Sequence, residues 1–170
     1  MAQGPSEGTP SRHRPGDLLR HPLVLAMLTL WIVNDHVLKG LLANDLTGKL
    51  SDVASLAVFP LIPYATYEIG CGLMGRPARH ALGILLVSIF ATGAVMVGIN
   101  ISDAWAEAYR VGLGLCQWPF RWLGAWFTGG SLPGPTAVQL TMDPSDAWTL
   151  PALYIPLWVF RRTRPKQPTP

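Results

Sequence analysis

The chain has 170 residues, 49 % of them hydrophobic and only 14 % charged, with a formal net charge of +3. A soluble domain carries about 25 % charge, so this deficit, spread over long uncharged runs, points to an integral membrane protein. Despite a pI near 9.1, nucleic acid is excluded as a partner, because the basic residues sit in tails and one short turn rather than among aromatics on one surface. The two cysteines, Cys71 and Cys116, match no metal or redox spacing.

Residues 1–17 are rich in Pro, Gly and polar side chains and read as a disordered tail. A first span is expected over 22–41, opened by Pro22, a good first-turn residue. It runs into Asn34 and Asp35 rather than a small-residue cleavage site, so it reads as a retained signal anchor. A second span is expected over 52–73, kinked at Pro60 and Pro63. The third, 81–99, carries no charge at all. The segment 100–143 reads as a long outer loop in which Pro119 opens a helix. Trp118, Trp122 and Trp126 then recur at fourfold spacing on one face. With Trp105 they are expected to anchor at headgroup level, as an amphipathic helix lying in the interface. A re-entrant segment or a fifth span over 104–127 is the alternative. The fourth span, 144–160, has Asp143 as N-cap and Pro144 at the first helical position. Residues 163–170 form a basic tail.

Charge orients these spans. With both termini inside, Arg12, Arg14, Arg20, Arg76, Arg79, Arg161, Arg162, Arg164 and Lys166 lie on the inner side. Only Lys39, Lys49, Arg110 and Arg121 lie on the outer side. That asymmetry obeys the positive-inside rule for an even number of spans. The expected fold is an all-α membrane bundle of about four transmembrane helices over 18–162, with an outer interfacial helix and both termini cytoplasmic. Cys71 and Cys116 then lie toward opposite faces, which argues against a disulfide.

Between Asn34 and Asp52 three carboxylates, two lysines and two asparagines interrupt the apolar pattern. Charge is costly beside lipid and marks a candidate site. Asp35 and Lys39 form an i,i+4 acid-to-base pair in the favourable order, and Asp45 and Lys49 repeat the spacing. The candidate polar site is Asn34, Asp35, Lys39, Asp45, Thr47, Lys49, Ser51 and Asp52, joined by Asp143 and Asp146. The bland alternatives are mutual neutralisation of Asp35 and Lys39 and helix capping by Thr47, Ser51, Asp52, Asp143 and Asp146. Glu68 reads as a lone acid reaching the inner interface, and His36 as an orienting or interface residue.

Gly48-Lys49 lacks the spacing of a phosphate-binding loop, and neither His-Glu-x-x-His nor Gly-x-Ser-x-Gly occurs. A hard cation on Asp35, Asp45, Asp52 and Asp143 suits oxygen ligands, but Lys39 and Lys49 compete for the same acids. No metal site and no cofactor are assigned.

Asn34-Asp35-x-x-Leu38-Lys39, Thr47-Gly48-Lys49-Leu50-Ser51-Asp52, Gln117-Trp118-Pro119, and Asp143-Pro144-Ser145-Asp146 followed by Leu150-Pro151-Ala152-Leu153 form an ordered set. With them the chain resembles a group of small bacterial multi-pass inner-membrane proteins of unassigned function, over roughly residues 20–162. Ser145 stands where threonine is expected, which preserves the hydroxyl. The resemblance implies a bacterial inner-membrane location and marks the outer polar residues, without supplying an activity. Three functional readings follow. The first is an outward pocket for a polar small molecule, ion, lipid headgroup or membrane partner, including a second copy of the chain. The second is a membrane enzyme using Asp/Lys acid–base chemistry on a lipid or envelope substrate. The third, a small transporter subunit, lacks acids on the third span to make a through-path.

Overall fold

The computed structural model describes residues 14–42 and 44–164. The expected tail disorder over 1–13 and 165–170 lies outside the described residues. Among those described, all regular structure is helical. Three helices are long and apolar enough to cross a membrane: α1 (Pro22–Leu42), α2 (Asp45–Leu73) and α3 (Ala81–Ile101). The fold is therefore helical and compatible with a membrane protein. Two further α-helices follow, α4 (Asp103–Thr128) and α5 (Tyr154–Thr163), the latter preceded by a 3-10 segment, Pro144–Leu153.

Local chemistry sets each boundary. His21 caps α1 by accepting the Leu23 amide on its side chain, and Pro22 fills the position where no N–H is required. Asn44 caps α2, its side chain accepting the Thr47 amide at 3.0 Å, while Asp45 places an acid in the first turn. The second helix thus begins at Asp45, not Asp52. Its polar opening turns are helical because the cap, rather than hydropathy, starts them. The helix is interrupted at Phe59 and Pro60 before resuming at Leu61. Pro63, also expected to kink it, lies in the first turn of the resumed stretch.

The segment 100–143 departs most from expectation. Ser102 caps α4, which continues through Pro119 as an interior residue. Its cap and first turn, not the proline, decide where it begins. The left-handed Gly129, φ 68°, ends it. The chain then folds back along the same helix: the Val138 amide donates to the Arg110 carbonyl at 3.0 Å, and Trp118 Nε1 donates to the Pro133 carbonyl at 2.7 Å. Glycine is required at 114, where an added Cβ would lie 2.1 Å from the Thr136 carbonyl oxygen.

Helix α2 is central, packing against α1, α3, the 3-10 segment and α5. Two cores flank its proline break. One joins Leu18, Val24, Leu61, Tyr64, Leu85 and Val159, and the other joins Leu56, Met96, Ile99 and Ala152. The first extends to the N-terminal residues. Arg14 to Asp17, expected as tail, are ordered against α2, with the Gly16 amide donating to Glu68 Oε2 at 3.2 Å. At the other end Thr163 closes α5 and Arg164 pairs with Glu68 at 2.6 Å. Glu68 is not an interfacial acid. It is 2 % exposed and also accepts from the Tyr64 hydroxyl. A carboxylate there is tolerable only because several donors converge on it. Cys71 and Cys116 are free thiols.

Candidate functional site

The polar cluster is built where the end of α1, the start of α2 and the start of the 3-10 segment meet. Asn34 to Leu38 form a π-helical turn inside α1, with the Lys39 amide donating to the Asn34 carbonyl five residues back. Such single wide turns insert a residue into a helix and re-aim its side chains. Asn34 is fully buried, and its Nδ2 donates to the Thr47 carbonyl at 2.7 Å, while Oδ1 is buried without a partner among the described residues. Asp35 Oδ1 accepts from Lys39 at 2.8 Å and from the Ser51 hydroxyl at 2.7 Å. Ser51 therefore links α1 to α2 and does not cap. Thr47 sits inside the first turn, its hydroxyl donating to the Asn44 carbonyl.

Lys49 does not pair with Asp45. It reaches across to the 3-10 segment, donating to Ser145 Oγ at 2.7 Å, Asp146 Oδ1 at 3.2 Å and Asp143 Oδ2 at 3.4 Å. Those three acceptors outcompete the helical neighbour because they converge on one ammonium, whereas Asp45 stays exposed outside the cluster. Asp143 is the N-cap that the sequence suggests, its Oδ1 accepting the Ser145 amide at 2.8 Å. The Ser145 hydroxyl, with its amide and Lys49, holds the Asp143 carboxyl below the usual aspartate range. The Asp143 amide donates to Asn100 Oδ1 at 2.9 Å, which ties this cap to α3. Asn100 and Ser145 are therefore site residues that the candidate set omits. An asparagine at the end of an uncharged run is the one sequence signal that could have found Asn100.

Asp52 differs from its neighbours. The residue is half-buried, and its carboxylate has no direct hydrogen-bond or ion-pair partner among the described residues, its carbonyl accepting from the Ser55 hydroxyl, although the charges of Asp146, Lys39, Lys49 and Asp35 all act on it. It lines a cavity of about 540 Å³ formed between α2, α3, α4 and the returning chain. The rest of that lining is mainly apolar, including Phe59, Ile62, Val95 and Met96, with Tyr109 among the few polar groups. Burial, and secondarily the Asp52 charge, push the Tyr109 phenol up, so it stays a neutral donor.

His36 is exposed beside the cluster. Among the described residues no three His, Cys, Asp or Glu side chains are grouped to hold a metal ion, so the shared cation on Asp35, Asp45, Asp52 and Asp143 has no geometry here. Trp105, Trp118, Trp122 and Trp126 all lie on α4 and are exposed, as are Phe120 and Phe127. Compared with protein-family models, curated proteins and solved structures, the chain matches none.

Proposed function

We propose that this chain is a four-span bacterial inner-membrane protein whose outer-face polar cluster binds the charged or polar head of a small molecule or lipid. Helix α2 spans 29 residues, roughly 43 Å at 1.5 Å per residue, against a hydrocarbon core of about 30 Å. The surplus suits its polar opening turns, so that the cluster stands at the outer boundary. Pro144 to Thr163 supplies the fourth crossing, with Arg161 and Arg162 at its basic inner end. Both termini are then cytoplasmic, in keeping with the positive-inside count. The apolar side chains that α4 exposes support an interfacial placement for that helix, with its tryptophans as anchors.

The observation that carries the binding reading is the Asp52 carboxylate. Asp35 is committed to Lys39 and Ser51, and Lys49 to the 3-10 segment, whereas Asp52 faces a cavity within the ligand-pocket range of about 300–1,000 Å³. An enzyme acting on a lipid or envelope substrate is the second reading. It rests on the same carboxylate, since a partly desolvated acid beside an apolar cavity suits proton transfer.

The test is native mass spectrometry of protein released from its own membranes. Wild type retains a bound small molecule or lipid that Asp52→Asn loses while keeping its helical content. Equal retention by both proteins contradicts the reading. Topology is checked separately with single cysteines at Asp45 and Arg76 in a Cys71→Ser/Cys116→Ser background. An impermeant maleimide is expected to label position 45 in intact cells, and position 76 only after permeabilisation.

A further inference from the structure

The cavity beside Asp52 combines two features that specify a ligand more narrowly than a polar head. Its walls along α2 run from Asp52 and Ser55 through Leu56 and Phe59 to Ile62 and Pro63. That stretch covers roughly 16 Å at 1.5 Å per residue, a slot for a chain rather than a compact solute. Phe59, Ile62 and Val95 are themselves partly exposed, so the slot opens sideways, where lipid would lie. Of the polar cluster only Asp52 lines the cavity, and the charge around it is unbalanced: Asp35 and Asp146 act on it against Lys39 and Lys49, so three carboxylates stand beside two ammoniums, and both lysines already have carboxylate partners. An anionic head would have to displace one of those pairs. A cationic head needs no rearrangement, because Asp52 is the acid left without a direct partner, and Tyr109 offers an aromatic face and a hydroxyl in the same cavity.

Building on the binding reading above, we infer that the site takes a long-chain amphiphile bearing a primary ammonium, with the ammonium on Asp52 and the hydrocarbon chain between α2 and α3. Lipid tails are as apolar as the cavity wall, so transfer of the chain from the bilayer gains little. The head therefore decides affinity, through a charge-assisted hydrogen bond to a half-buried carboxylate.

The test uses the full chain in nanodiscs of phosphatidylcholine, titrated with dodecylamine, dodecanol and dodecyl sulfate, and read by intrinsic tryptophan fluorescence. Wild type should bind dodecylamine at least about tenfold more tightly than either other probe, the minimum expected of a charge-assisted hydrogen bond. Asp52→Asn should abolish that preference. Ala91→Trp and Val95→Trp, which fill the slot from α3, should each weaken dodecylamine binding by a similar factor; two variants guard against misfolding of one. Equal affinity for dodecylamine and dodecanol in wild type overturns the inference. So does full dodecylamine affinity in both slot variants, a result that leaves a polar site at Asp52 standing. Loss of native-membrane ligand in neither Asp52→Asn nor the slot variants removes the binding reading itself. In nanodiscs containing phosphatidylethanolamine, selective retention of that lipid assigns the ammonium to a bilayer headgroup. Dodecylamine binding without such retention assigns it to a free amine.

Discussion

Arg164→Met is expected to loosen the molecule at the end opposite the polar cluster, by an amount the geometry bounds. Arg164 Nη2 lies 2.6 Å from Glu68 Oε1 and 2.9 Å from the Tyr64 hydroxyl oxygen, and its guanidinium stacks over Phe160 at 4.9 Å. Removing one partner of a buried ion pair costs about 3–5 kcal/mol. Glu68 is 2 % exposed but Arg164 is 29 % exposed, and Tyr64 and the Gly16 amide still donate to the carboxylate. Solvent screening on the arginine side reduces the expected loss to about 2–3 kcal/mol. Glu68→Gln in the same background removes the uncompensated charge and should restore about half of that loss, because the amide of glutamine can still accept from Tyr64. The assay is a double-mutant cycle, with reversible unfolding in mixed detergent micelles followed by tryptophan fluorescence. A coupling of about 2 kcal/mol between the two positions is expected. Coupling below about 0.5 kcal/mol would refute the reasoning, since the two residues would then contribute independently.

Further outcomes follow from the return of the chain along α4 and from the cap at Asp143. Gly114→Ala forces a Cβ to within 2.1 Å of the Thr136 carbonyl oxygen. Thermal unfolding should show a loss of about 1–3 kcal/mol, with accelerated amide exchange over 129–143; unchanged exchange there would contradict the close approach. Because the Asp143 carboxyl is held below its ordinary value of 3.8, its contribution is fully present above that value. It is lost as pH falls through the lowered folded value. The stability difference between wild type and Asp143→Asn should therefore be constant at neutral pH and shrink only in acid; a difference that grows on acidification would reverse the sign.

The legible part of this fold is the part governed by hydropathy. Helix α3 has no charge from Ala81 to Ile101, and an uncharged, predominantly apolar run of that length has few alternatives to a helix able to cross a bilayer. Where hydropathy stops deciding, the boundaries move. The start of α2 is set by the Asn44 side chain, and polar turns from Asp45 to Asp52 look like loop to any measure of apolarity. Pro119 resembles a helix start yet sits inside α4.

The polar residues between Asn34 and Asp52 were conspicuous, but their partners were not. Local spacing suggests Asp45 for Lys49, whereas Ser145 and Asp146, distant in sequence, provide its contacts. The same holds for Glu68 and Arg164, which meet only when both ends of the chain pack on α2. The π-turn at Asn34 to Leu38 leaves no trace in a periodicity of 3.6. It nonetheless carries both Asn34 and Asp35 of the cluster. What singles out Asp52 is a carboxylate without a direct partner placed on the cavity wall, and only the assembled fold reveals it.

That distinction can be measured chemically. A hydrophobic carbodiimide reacts with accessible carboxyls in membranes, and acids already committed to ion pairs are shielded from it. Wild-type protein in bilayers should be modified first at Asp52, with the adduct located by peptide mass spectrometry and its formation slowed by dodecylamine. Modification falling on Asp35 or Glu68 ahead of Asp52 would contradict the assignment of Asp52 as the uncommitted carboxylate of the site.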